Sequence, residues 1–268
     1  MEIVIPKEAI KVVKTLKKLK NVKAIGLYGS IAMGFADKYT EDMDFIVFCD
    51  KTPNVKDRER ILKPIVKKWY SAYDVWKFID VFDIKERKEC TVFYRTLDEF
   101  ENYVKRFKEK NRLEGEFTTF IIYGKSLYDP KGFLKKWKKM TIKYPEWLRR
   151  NIVGLLNGIF RFTRGGVIEK ELKRGNINYV NDKIATIKNM LDEVIFALNK
   201  TYSCSKWAFK FYPKFKLLPK DYMKKMDKFN NIKGIELKEK IKIIDHLAYE
   251  VYKIAKKEIP DLKIRTKF

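Results

Sequence analysis

The feature that most constrains this chain is the stretch GLYGSIAMGFADKYTEDMDFIVF, residues 26–48. Ala24 to Tyr28 reads as a short buried strand, Ile31 to Ala36 as one or two helical turns, and Asp44 to Cys49 as a second strand. The junction at Gly29-Ser30 ends the first strand and opens the helix, and the acidic tripeptide Asp42-Met43-Asp44 stands at the mouth of the second. Such an order commits the chain to a sheet in which a tight strand-to-helix turn lies close in sequence to a strand that begins on acid.

Side chains two apart on a strand share a face, so Asp42 and Asp44 converge on one spot. Two carboxylates with no basic residue between them repel each other, and a site that keeps both ionised suits a divalent cation held by oxygen. At Gly29-Ser30 the free N–H groups of a helix start favour a phosphate, and glycine lets it approach the backbone. A phosphate-binding turn facing a metal-binding carboxylate pair implies phosphoryl or nucleotidyl transfer.

Composition narrows the alternatives. The 268 residues suffice for one large or two modest domains, and 46% hydrophobic and 15% aromatic content predict a folded chain. A single histidine, His246, argues against histidine-based zinc sites and Ser-His or Cys-His catalysis, and it falls in a helical apolar pattern that gives it a structural role. Cys49, Cys90 and Cys204 are scattered without CxxC spacing, and Cys49 reads as a core thiol. The N-terminus lacks a signal-peptide layout, and no apolar run approaches the ~20 residues of a membrane helix, so a reduced, cytoplasmic protein is expected. The net charge of +25 is spread as +11 over residues 1–145 and +14 over 146–268, which fits a Lys/Glu/Ile-rich, thermophile-like solvated surface better than one nucleic-acid-binding arm. The densest basic and aromatic segment is FLKKWKKMTIK, Phe133 to Lys143.

Along the chain, Pro6 to Lys20 predicts a helix with an Ile10, Val13, Leu16, Leu19 stripe, and Arg58 to Tyr70 a helix interrupted at Pro64. Trp76 to Ile84, Cys90 to Leu97 and Thr118 to Tyr123 read as strands, and Asp98 to Arg112 as an amphipathic helix. Past Tyr128-Asp129-Pro130 the pattern is helical throughout, and Asp182 to Asn199 carries one apolar stripe from Ile184 to Leu198. The expected architecture is α+β: a mixed sheet with flanking helices over 1–145, then an all-α helical bundle over 146–268.

Gly29-Ser30, eleven intervening residues and Asp42-x-Asp44 before an apolar strand resemble the signature of the polymerase-β-like nucleotidyltransferase superfamily, in the manner of its archaeal stand-alone and small-substrate members. Gly34 and Ala36 match its G-S-x-A-x-G-x-A run, whereas Met33 stands where many members carry Arg and Glu41 where Ser is common. Ile122 to Pro130 resembles the strand and turn that close such domains. Ala197-Leu198-Asn199-Lys200-Thr201-Tyr202 and Lys206-Trp207 are similar to the LN-x-x-Y-x-x-x-KW stretch of a helical domain that often follows.

The resemblance implies Mg²⁺ (or Mn²⁺) held by Asp42 and Asp44, an NTP with ATP as the expected donor, terminal phosphates oriented by Gly29 and Ser30, and release of pyrophosphate. It also implies a third carboxylate on a neighbouring strand. Asp80 is favoured, Asp83 is the alternate because an odd spacing puts the two on opposite faces, and Glu89 or Thr91 would occupy the position if the next strand is the relevant one. In relatives resembling kanamycin nucleotidyltransferase the helical domain contacts the acceptor, which would give Asn199, Tyr202 and Lys206 that role, competing with capping by Asn199. The acceptor could be a small hydroxylated molecule, RNA or a protein as for adenylylating antitoxins; a nucleotide-binding regulatory module without turnover is the other reading. The aromatic run Trp207 to Phe215 is expected to pack internally rather than stack on bases.

Overall fold

A computed structural model describes residues 4–40, 42–70, 78–85, 89–109, 115–141, 143–231 and 236–268. The chain divides into two compact units, Met1–Lys143 and Tyr144–Phe268.

The first unit is built on a six-stranded mixed sheet. Its strands are β1 (Val22–Tyr28), β2 (Asp42–Cys49), β3 (Val66–Trp69), β4 (Ile79–Ile84), β5 (Glu89–Thr96) and β6 (Lys125–Tyr128), in the order β3-β4-β5-β2-β1-β6. Among the described residues only β2 and β5 run parallel, and the other neighbours are antiparallel. Helices α1 (Lys7–Leu16), α2 (Gly29–Met33), α3 (Val55–Leu62), α4 (Leu97–Lys108), α5 (Gly115–Tyr123) and α6 (Phe133–Thr141) complete it.

Each sheet face has its own core. On one, Met43, Phe45 and Val47 of β2, Cys90, Val92 and Tyr94 of β5 and Phe82 and Ile84 of β4 pack with α1 and with Leu62 of α3. On the other, Ala24, Ile46 and Phe48 meet Phe100 and Tyr103 of α4, Phe120 and Ile121 of α5 and Trp137 of α6. Alternation along β2 therefore assigns Asp42 and Asp44 to the second face, in line with Ile46 and Phe48.

Local chemistry sets the helix limits. A capping box starts α4: Glu99 N–H donates to Thr96 Oγ1 at 3.2 Å while Thr96 N–H donates to Glu99 Oε2 at 2.8 Å. Asn54 caps α3 by accepting from Asp57 N–H at 2.8 Å. In α1 the buried apolar residues are Ala9, Val12, Val13 and Leu16, while Ile10 is 42% exposed, so the apolar stripe is turned from the one expected.

Two sequence expectations are corrected. Arg58 to Tyr70 is not one interrupted helix: α3 stops at Leu62, before Pro64, and Val66–Trp69 pairs with β4 as an edge strand. Thr118 to Tyr123 is helical within α5, and the strand begins two residues later at Lys125. A short apolar run fits either state by periodicity, and Gly124, whose N–H donates to Phe120 O at 2.9 Å, closes the helix where a Cβ would collide with that carbonyl. Residues 76–77 of the expected Trp76–Ile84 strand and 110–112 of the expected Asp98–Arg112 helix lie outside the described residues.

The second unit is all-helical: α7 (Glu146–Val153), α8 (Leu156–Arg164), α9 (Val167–Lys173), α10 (Ile177–Leu198), α11 (Ala208–Phe211), α12 (Tyr222–Asn231) and α13 (Leu237–Glu258). The long helix α10 is its axis, touching α7, α8, α9 and α13, and its residues Val194 to Leu198 are all buried. Asp192 on α10 is fully buried, where it takes hydrogen bonds from Lys188 Nζ at 2.7 Å, from Tyr222 Oη at 3.1 Å and from the Tyr212 hydroxyl. A forked Arg164–Asp245 pair, at 2.7 and 2.9 Å, ties α8 to α13. The architecture is α+β with a mixed sheet, followed by a helical region.

Candidate active site

Gly29 forms the hinge of the site. It has φ +72°, a left-handed conformation that glycine adopts without strain, and a Cβ there would collide with the Asp44 carboxylate. Tyr28, the residue before it, is opposite Asp44 in the β1–β2 ladder, so the ladder and the turn together set that carboxylate against the Gly29 backbone. Ser30 is buried in the first turn of α2. Gly34 then ends α2 at φ +71°, with Phe35 N–H donating to Ser30 O at 2.8 Å, and the chain loops back toward β2.

Asp42 and Asp44 are both half-buried, on one face and at the start of β2, as the spacing requires. In the register between β2 and β5, Asp42 is opposite Glu89 and Asp44 opposite Thr91. In the register between β5 and β4, Glu89 is opposite Asp83 and Thr91 opposite Val81. One row thus carries Asp42, Glu89 and Asp83 on three successive strands of the same face, with neighbouring strands roughly 5 Å apart. The Asp83 Oδ2 already accepts from the Tyr70 hydroxyl at 2.9 Å, which holds the Tyr70 phenol above its ordinary range.

Asp80, the favoured third carboxylate, is not brought to Asp42 and Asp44. It alternates with Val81 and Asp83 and is opposite Val92, which places it in the core on the other face. There its Oδ1 is 2.9 Å from Arg58 Nη1, with side-chain exposures of 8% and 2%, and the Arg58 guanidinium is 4.7 Å from the Tyr94 ring centre. Burial raises the Asp80 carboxyl above the usual range against the opposing pull of Arg58. The alternate Asp83 is on the right face, one strand further out than Glu89. Alternation of Cys90, Val92 and Tyr94 already turned Glu89 away from that core; what the residues could not tell is that β5, not β4, is the neighbour of β2.

The chemistry of the pair fits a hard cation: two strand-mouth carboxylates on one face, one of them held against a glycine turn. Among the described residues no three His, Cys, Asp or Glu side chains are gathered tightly enough to form a complete metal cluster. Glu89 is the nearest further carboxylate by register.

The residues expected to meet the acceptor are engaged within the second unit. Both Asn199 amide N–H groups donate, to Ile195 O and Leu217 O at 2.9 Å each, and its Oδ1 accepts from Leu217 N–H at 3.0 Å. This clamp ties the end of α10 to the following loop and leaves no amide donor for a ligand. Tyr202 is buried with its ring 4.8 Å from that of Tyr144, while Lys206 is exposed, 5.6 Å from the Trp207 ring centre. Phe211 and Phe215 pack on Phe196, and Trp137 of the basic segment is in the core at 3.8 Å from Phe100. The Cys49 thiol is raised to about 11 by burial, then by Glu99 and Asp50, and is no nucleophile at neutral pH.

A mixed sheet that presents a carboxylate pair beside a glycine turn has the donor groups for a metal-bound phosphate. Residues 7–114, spanning α1 to α4 and all but the last strand, match the family model of the nucleotidyltransferase domain. That stretch of the first unit is therefore similar to a nucleotidyltransferase domain. Similar solved structures include a nucleotidyltransferase-like protein from Exiguobacterium sibiricum 255-15, at 10% identity and TM-score 0.41, covering 94% of this chain and 76% of that one. Another is the spectinomycin adenyltransferase AAD(9) from Enterococcus faecialis, solved with ATP and spectinomycin, at 13% identity and TM-score 0.32, covering 90% of this chain and 98% of that one. No curated protein matches the sequence.

Proposed function

We propose that this protein is a divalent-metal-dependent nucleotidyltransferase that moves AMP from ATP to an acceptor hydroxyl and releases pyrophosphate. The observation that carries the reading is the joint placement of Asp42 and Asp44 on one sheet face with the Asp44 carboxylate against the Gly29 turn. Asp42 and Asp44 would hold Mg²⁺ or Mn²⁺, which when bound neutralises phosphate charge and polarises the reacting phosphoryl group.

The chain's own part is positioning and proton transfer. Backbone N–H groups at Gly29 and Ser30 hold the terminal phosphates. Glu89, in the row with Asp42, takes the proton of the acceptor hydroxyl as its oxygen bonds to the α-phosphorus; the bond from that phosphorus to the bridging oxygen breaks and pyrophosphate leaves with the electron pair. Asp83 is the alternate base, one strand further out. Among the described residues no helix is long and apolar enough to cross a membrane, and we place the reaction in the cytoplasm, on a small hydroxylated molecule, RNA or protein.

The test is incubation with α-labelled ATP, Mg²⁺ and separated small-molecule, RNA and protein fractions, beside the Asp42→Asn/Asp44→Asn variant. Label that enters one fraction only with the unmodified protein supports transfer and names the acceptor class. Among the described residues no three carboxylates form a complete cluster, and a second reading is a nucleotide-binding module without turnover. Saturable, metal-dependent ATP binding with no labelled product in any fraction would decide for it.

A further inference from the structure

A cavity of about 460 Å³ lies in the first unit, on the same sheet face as Asp42 and Asp44 but further along β2. Ile46 and Phe48 form its floor, Phe120 of α5 and Leu134 of α6 its sides, and Lys125 of β6 and Lys138 of α6 its polar wall. Gly29, Ser30, Asp42 and Asp44 do not line it. Tyr28, opposite Asp44 in the ladder, has its ring centre 4.2 Å from the cavity-lining Phe120 and 5.8 Å from Phe93.

The cavity is lined by three lysines, Lys125, Lys135 and Lys138, against one carboxylate, so its lining is net basic. That carboxylate, Asp129, is engaged at the start of α6, accepting from Phe133 N–H at 2.8 Å and Lys135 N–H at 3.2 Å. Lys138 Nζ donates to Gly124 O at 3.3 Å, which aims the amine at the cavity wall. Burial, and then the charge of Lys125, holds the Lys138 amine below its ordinary value, a cost that an anion placed between the two amines would relieve. An apolar floor with a few convergent polar groups, at a volume within the roughly 300–1,000 Å³ of small-molecule sites, is the form of a ligand pocket.

We infer that this cavity is a second ligand site, for a small organic anion with an apolar or aromatic body, seated between Lys125 and Lys138 over Ile46 and Phe48. Asp42, Asp44 and Glu89 do not line it, so it needs none of them.

The experiment uses the full chain and two probes, the anionic 8-anilinonaphthalene-1-sulfonate and the neutral N-phenyl-1-naphthylamine, each titrated by fluorescence. The expected result is saturable one-to-one binding of the anionic probe. Lys125→Gln/Lys138→Gln should weaken it at least about tenfold, since both charge-assisted contacts are lost, while binding of the neutral probe stays unchanged. Leu134→Trp should block both probes by filling the cavity, and Ser126→Trp, at the exposed rim, does the same if the first variant fails to fold. Asp42→Asn/Asp44→Asn should leave probe binding untouched, so the outcome is independent of the transferase reading. The inference is overturned if the anionic probe does not saturate, if the double lysine variant binds it equally well, or if ATP displaces it in a manner that Asp42→Asn/Asp44→Asn abolishes.

Discussion

Replacing Asp80 separates a structural carboxylate from a catalytic one. Its partner Arg58 is 2% exposed, 2.9 Å away and surrounded by core side chains, so Asp80→Ala leaves a buried guanidinium without its counter-charge. Breaking one side of a buried pair costs about 3–5 kcal/mol. At 1.4 kcal/mol per factor of ten, the folded population of the first unit should fall by roughly two to four powers of ten relative to the unfolded one. Removing both charges is different, because neither is then stranded: Arg58→Met/Asp80→Leu should be near neutral or stabilising by up to ~4 kcal/mol. Hydrogen exchange of β4 and β5 peptides reads this unit separately from the helical one. Nucleotidyl transfer is measured on the same samples with labelled ATP. The expected pattern is a fragile single variant and a stable double variant that still transfers AMP. A double variant that is folded yet inactive, or an Asp80→Ala that costs under about 1 kcal/mol, would refute the reasoning and return Asp80 to the catalytic set.

Three further outcomes are expected. Glu89→Gln should lower transfer about 10²–10⁴-fold while ATP binding and thermal midpoint stay as before, and a loss that appears instead in Asp83→Asn would shift the base one strand outward. Gly29→Ala should cost ~1–2 kcal/mol from its positive φ and, because the new Cβ displaces the Asp44 carboxylate, cut turnover on the order of a hundredfold; calorimetry and the label assay check the two parts. Native Cys49 should resist a thiol reagent at pH 8, since its raised pKa keeps it protonated until pH approaches about 11, and the half-buried Cys204 should react first, as peptide mapping would show.

The residues from Gly26 to Phe48 made the turn, the helix start and the shared face of Asp42 and Asp44 legible, because each follows from a local rule: glycine's freedom at φ +72° and the two-residue period of a strand. Alternation likewise showed that Asp80 and Asp83 could not both face one site. Local rules failed where a short run suits two states, as at Thr118–Tyr123, and where a proline separates two elements, as between α3 and β3. For Asn199 they offered capping of the long helix as an alternative, and its amide does bond Ile195 O, but its closure onto Leu217 depends on a loop that only the fold brings near.

By itself the sequence determined which side chains share a face within each strand, since that depends on backbone geometry between neighbours. Strand order, decided only by tertiary structure, placed β5 rather than β4 beside β2. That pairing set Glu89 next to Asp42, while packing of α3 on the opposite face buried Asp80 against Arg58. Such choices depend on contacts between residues far apart in the chain, formed because each sheet face must be covered by helices whose apolar surfaces fit it.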